Sequence, residues 1–195
     1  MASARHKPRP EMTAKEFFVW EGDGSERKFE LVDGVVRAMS PAHPTHGIIQ
    51  ARLALLIGNH LLAKRLPCVV VTEPPVVPRI RAAENVRVPD LGVSCAKSPD
   101  AEPHLADPVL LIEILSPSNQ SHTWRNVWAY ATIPSVAEIL IVQSTRVEAK
   151  VLRRLPDGTW PDAAADIAAG ADLELSSVGL TIPLTDLYVG TRLAK

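Results

Sequence analysis

Apolar positions recur along this chain at distinct spacings, and each spacing predicts a different element. Between Thr45 and Lys64, Ile49, Leu53, Leu56, Ile57 and Leu61 return every three or four residues, the stripe that one face of a helix buries. This is the longest helix expected. Thr13 and Glu16 form a capping box, which predicts a short helix opening near Ala14 and bringing Phe17, Phe18 and Trp20 with it. Phe29 to Val32 and Val35 to Met39 flank Asp33-Gly34, a dipeptide that supplies the positive φ angles of a tight hairpin.

Cys68 to Thr72 is a β-branched run, Pro74, Pro75 and Pro78 break the chain after it, and Asn85 to Val88 resumes an extended segment. Leu91 to Ala96 and Val109 to Leu115 are short apolar runs of the kind found in central, covered strands, expected side by side. Ser121 to Thr132 reads as a helix that buries Trp124, Val127, Trp128 and Ala131 and stops before Pro134. Ile139 to Val142 and Val147 to Leu155 predict two more strands, with a turn at Pro156-Asp157-Gly158. Residues 161–195 show no clear period and predict nothing specific. The pattern is that of one α/β domain over residues 11–195, preceded by a basic tail, Met1 to Pro10, expected to be disordered.

Composition narrows the functional classes. With 195 residues and 46% hydrophobic content, one domain can bury a core without covalent help. A formal net charge of -1 denies it a global basic field for gripping a duplex, so any nucleic-acid contact must be local. Cys68 and Cys95, the two cysteines, stand far apart and outside any C-x-x-C spacing, which suggests neither a disulfide framework nor a zinc site and fits a reducing cytoplasm. No apolar run reaches the roughly 18 residues of a membrane span, so the expectation is a soluble cytoplasmic protein.

Two carboxylates carry the chemistry. Asp90 opens an apolar strand behind Pro89, and Glu113 interrupts the run Val109 to Leu115. A carboxylate taken out of water without a partner costs several kcal/mol, so each needs a cation, a hydrogen-bond network or a metal. On neighbouring strands the two would converge and offer hard oxygen ligands to Mg²⁺ or Mn²⁺. The alternatives are a Glu113 paired with an arginine such as Arg87 or Arg125, and an Asp90 that bonds backbone at a turn. Arg79, Arg81 and Arg87 either grip a phosphate backbone or form a solvated loop. Trp124 and Trp128 either stack on a base or pack in a core or dimer seam.

Phe29-Glu30-Leu31-Val32-Asp33-Gly34, Met39-Ser40-Pro41, His46, Pro89-Asp90 and Glu113-Ile114-Leu115-Ser116-Pro117-Ser118 together resemble the Uma2 (Uma-two) family, a bacterial group in the PD-(D/E)XK nuclease superfamily. The resemblance covers approximately Thr13 to Gly190. It implies a restriction-endonuclease-like mixed sheet flanked by helices with an N-terminal hairpin. Asp90 and Glu113 would hold Mg²⁺ or Mn²⁺, the Ile114 carbonyl would be a further ligand, and Glu30 would complete the acidic metal cluster. His46 would ligate or relay protons, or else be a partly buried histidine bonded to backbone. The reaction implied is hydrolysis of nucleic-acid phosphodiesters, DNA ahead of RNA, by a homodimer. The chain departs from the family at three positions. Leu115 stands where the superfamily has a lysine, Asn126 where the family's substitute lysine is expected, and His122 where an acid is expected. The second reading is therefore a nuclease-fold protein that binds nucleic acid or a protein partner without cleaving.

Overall fold

Asp33 and Gly34 take φ angles of 51° and 79°, and the turn they form joins β1 (Phe29–Val32) to β2 (Val35–Ala38) as the expected hairpin. The computed structural model describes residues 11–41, 43–116 and 120–194. The basic tail and the Pro117 and Ser118 positions of the family motif lie outside the described residues. Upstream of the hairpin, α1 (Ala14–Phe18) begins at the Thr13–Glu16 capping box.

The long helix α2 (Pro44–Ala63) starts at Pro44, with His43 capping it through Nδ1, and buries Ile49, Leu53, Ile57 and Leu61. Six strands form the main sheet in the order β3-β4-β5-β6-β7-β8: β3 (Val69–Thr72), β4 (Leu91–Ser94), β5 (Pro108–Leu115), β6 (Glu138–Gln143), β7 (Glu148–Arg153) and β8 (Ala165–Ala168). The β5–β6 pair is parallel and the other pairs are antiparallel. The parallel crossover contains α3 (Gln120–Tyr130), as parallel neighbours need a long connection that is usually helical.

Side-chain alternation along β5 splits the core between the two sheet faces. Leu110, Ile112 and Ile114 pack with the α2 stripe on one face; Leu111 and Leu115 pack with Val127 and Tyr130 of α3 on the other. Glu113 shares the α3 face by the same alternation. A β9–β10 hairpin (Asp172–Leu175, Leu180–Pro183) and a 3₁₀ turn (Leu184–Tyr188) seal the α2 face with Leu173, Leu175, Leu184 and Tyr188.

Two expectations are corrected. The buried face of α3 only partly matches the expected one: Val127 is buried and Trp124 and Ala131 pack against the core, but Trp128 is 47% exposed and Thr123, Asn126 and Tyr130 are buried instead. The inward face is partly polar because it meets buried carboxylates. Cys68 and Cys95 form a disulfide. The antiparallel register that sets Val69 opposite Ser94 brings the next pair, Cys68 and Cys95, face to face, so sequence distance misled where strand pairing decides. No helix among the described residues is long and apolar enough to cross a membrane.

Candidate functional site

The register that pairs Leu91 with Ile112 sets Asp90 opposite Glu113, on the α3 face and at the carboxyl end of β5. Asp90 is held from both sides: its Oδ2 accepts the Ile114 amide at 2.6 Å, and its Oδ1 lies 3.0 Å from His46 Nε2 at the start of α2. Its backbone carbonyl accepts from Gln50 Nε2 and from the Glu73 amide, both at 2.9 Å. Glu113 is buried and accepts the Tyr130 hydroxyl at 2.7 Å. Burial, then the nearby Asp90 charge, pushes Glu113 well above the usual carboxylate range; the Tyr130 hydrogen bond opposes this in part, and Glu30 adds to it. Burial and Glu113 likewise hold the Tyr130 phenol well above its usual range, so it remains a donor.

Glu30 enters from the hairpin. Leu31 and Val86 exchange backbone hydrogen bonds of 2.8 and 3.0 Å, which sets Glu30 opposite Arg87 on this added strip. The Glu30 side chain is only 5% exposed, with His122 Nε2 2.7 Å from Oε1 and the Asn126 amide 3.4 Å from Oε2. His122, Asn126 and Tyr130, spaced four residues apart, thus place one donor each against the acidic group from successive turns of α3.

These residues border a cleft of about 810 Å³ whose walls include Lys28, Ser40, His43, His46, Ser144 and Arg192. All four expected site residues, Glu30, His46, Asp90 and Glu113, line it. His46 contacts a carboxylate, not the backbone acceptor that was its alternative. Neither arginine alternative for Glu113 is realised. Arg125 is exposed, and Arg87 is buried and donates to Asn85 at 2.9 Å. Arg79 and Arg81 are exposed and do not line the cleft; Arg81 pairs with Glu84 and Asp33. The donors His122, Asn126 and Tyr130 were not among the expected site residues, although their helical spacing was the signal for them.

Among the described residues, no group of three His, Cys, Asp or Glu side chains forms a ready-made metal centre. What the cleft offers is a carboxylate pair set opposite each other, one member of which burial and its neighbour push well above the usual carboxylate range. That donor set fits a hard divalent cation retaining several waters, as Mg²⁺ does when one or two carboxylates bind it.

A family model described as "Putative restriction endonuclease", Uma2, matches residues 14–185. An uncharacterized protein of Synechocystis sp. is 29% identical over 192 residues, spanning 97% of this chain and 98% of that one. The crystal structure of "a putative nuclease belonging to DUF820" from Anabaena variabilis superimposes with a TM-score of 0.73 at 19% identity, covering 91% of this chain and 97% of its own. At that identity the likeness establishes the shared fold.

Proposed function

The chain belongs to the Uma2 family, and from that premise we propose that it is a Mg²⁺- or Mn²⁺-dependent endonuclease in which Asp90 and Glu113 hold the metal. The observation that carries this reading is the Asp90–Glu113 pair itself: two carboxylates opposed across β4 and β5 in a cleft, each already oriented by a hydrogen bond. The Asp90 charge opposes ionisation of Glu113, a penalty that a divalent cation held by the two residues would relieve.

A bound metal would polarise a phosphodiester oxygen and lower the pKa of a water. The chain's own residues do the positioning. The Ile114 amide and His46 fix Asp90, and Tyr130 fixes Glu113. Glu30 completes the acidic cluster from the hairpin. Its two oxygens face His122 and Asn126 of α3; direct ligation is assigned to Asp90 and Glu113, the pair set opposite each other across β4 and β5. Lys28 and Arg192 at the cleft wall supply local positive charge for a nucleic-acid backbone, DNA ahead of RNA. Two such clefts in a homodimer double that contact, C₂ dimers being the commonest assembly. The working protein acts on its nucleic-acid substrate as one domain spanning residues 11–195.

A calorimetric titration with Mn²⁺ tests the site. Binding in the native chain, lost in Asp90→Asn and Glu113→Gln, supports the assignment; equal binding in all three refutes it. The non-cleaving alternative draws on one observation: Leu115 is buried in the core and Asn126 carries a neutral amide, so neither lysine position supplies a cation.

A further inference from the structure

A hydrolase of this kind needs a group that moves protons, and the cleft wall offers few. Lys28 is paired with Glu73, and Arg27 with Asp23 at 2.7 Å. His43 caps α2 through its Nδ1. His46 is tied to Asp90. Arg192 is a guanidinium, which keeps its proton.

His122 differs from all of these. Its Nε2 lies 2.7 Å from Glu30, whose side chain is 5% exposed, while its own side chain is 32% exposed and lines the cleft. A buried carboxylate behind a half-open imidazole fixes the ring and its tautomer: Nε2–H points at Glu30, leaving Nδ1 as the basic nitrogen. One turn along α3, Asn126 donates to Glu30 at 3.4 Å and lies near enough to Glu113 to oppose the rise in its pKa, which ties this pair to the carboxylates assigned to the metal.

We propose that His122, oriented by Glu30, is the proton-transferring catalytic residue of the cleft, doing from α3 what no lysine at 115 or 126 does here. The inference rests on the endonuclease reading and adds a residue to it. In the step, a water oxygen forms a bond to phosphorus while its proton passes to the imidazole. The bond from phosphorus to the leaving oxygen breaks, and that oxygen takes up a proton from the imidazolium or from solvent. The products are a phosphomonoester and an alcohol, and no other reactant is required.

The test compares the full chain with His122→Ala and His122→Gln for Mn²⁺-dependent cleavage of an oligonucleotide, with Mn²⁺ affinity measured in parallel. The expected result is a kcat about 10²-fold lower in both variants, unchanged Mn²⁺ affinity, and partial recovery of His122→Ala by added imidazole. Gln keeps a donor for Glu30, so its loss of rate separates proton transfer from folding. Cleavage at the native rate in either variant overturns the inference, as does a loss that imidazole leaves unrelieved and that travels with lost Mn²⁺ binding. Absence of cleavage by the native chain itself overturns the endonuclease reading and this inference with it.

Discussion

The Tyr130 hydroxyl donates to Glu113 Oε1 at 2.7 Å, a buried bond from α3 to β5 that opposes the upward push on the Glu113 pKa. Tyr130→Phe leaves a buried carboxyl without this donor and is expected to cost about 1–3 kcal/mol of stability in urea unfolding. It also raises the Glu113 pKa further, so Mn²⁺ binding moves to higher pH. A variant with native stability and a native binding profile would remove Tyr130 from the site.

Glu113 makes stability and metal binding respond oppositely to pH. Its folded pKa lies well above the ordinary 4.5, so the folded chain holds this proton more tightly than the unfolded chain. That contribution to stability is fully present below the ordinary value and is lost as pH rises through the folded pKa. Metal-free protein should therefore lose stability on that rise, and Glu113→Gln should flatten the dependence. Mn²⁺ must displace the same proton, so its affinity should rise about tenfold per pH unit until Glu113 ionises. Calorimetry across a pH series checks the slope.

Cys68 and Cys95 close a loop with a sequence separation of 27 and join the chain entering β3 to the residue that leaves β4. Chain-entropy arithmetic for a loop of that size gives about 3–4 kcal/mol. Reduction, or Cys68→Ser with Cys95→Ser, should lower the urea midpoint accordingly while the Asp90 contacts persist. Denaturation with and without reductant measures it, and coincident curves would deny the bond a stabilising role.

A buried carboxylate outside the cleft serves as an off-site control. Glu138 accepts from Arg153 Nε at 2.8 Å and from the amide and hydroxyl of Ser177 at 3.1 and 2.8 Å, clamping the β9–β10 hairpin to β6. Arg153→Met leaves that carboxylate its Ser176 and Ser177 donors but no cation and should cost about 1–3 kcal/mol. Mn²⁺ affinity at a temperature where the variant is folded should not change; a parallel loss would tie the clamp to the cleft.

Local signals were legible in the sequence, whereas signals that depend on register were not. Asp33-Gly34 specifies its own turn, Thr13 and Glu16 specify their own cap, and the α2 stripe needs only helical geometry. Asp90 and Glu113 stood out because a charge in an apolar strand is costly wherever that strand packs. The inward face of α3 was illegible because apolarity alone favours Trp128 over Asn126. The polar positions are buried only because Glu30 and Glu113, distant in sequence, supply their acceptors. The disulfide was missed for the same reason. The β9 strand alternates Asp172, Leu173, Glu174 and Leu175, a pattern too short to separate from chance.

Support of metal-dependent phosphodiester hydrolysis by Asp90 and Glu113 is tested most directly by cleavage of single- and double-stranded DNA and RNA by the purified chain in Mn²⁺. Glu113→Gln and the lysine-restoring variants Leu115→Lys and Asn126→Lys would be assayed alongside. The expected result is slow, Mn²⁺-favoured cleavage by the native chain, none in chelator or in Glu113→Gln, and faster cleavage by a lysine variant whose ammonium reaches the phosphate. A chain that binds Mn²⁺, yet cuts none of these substrates either natively or with lysine restored, would contradict that role and leave a nuclease fold used for binding alone.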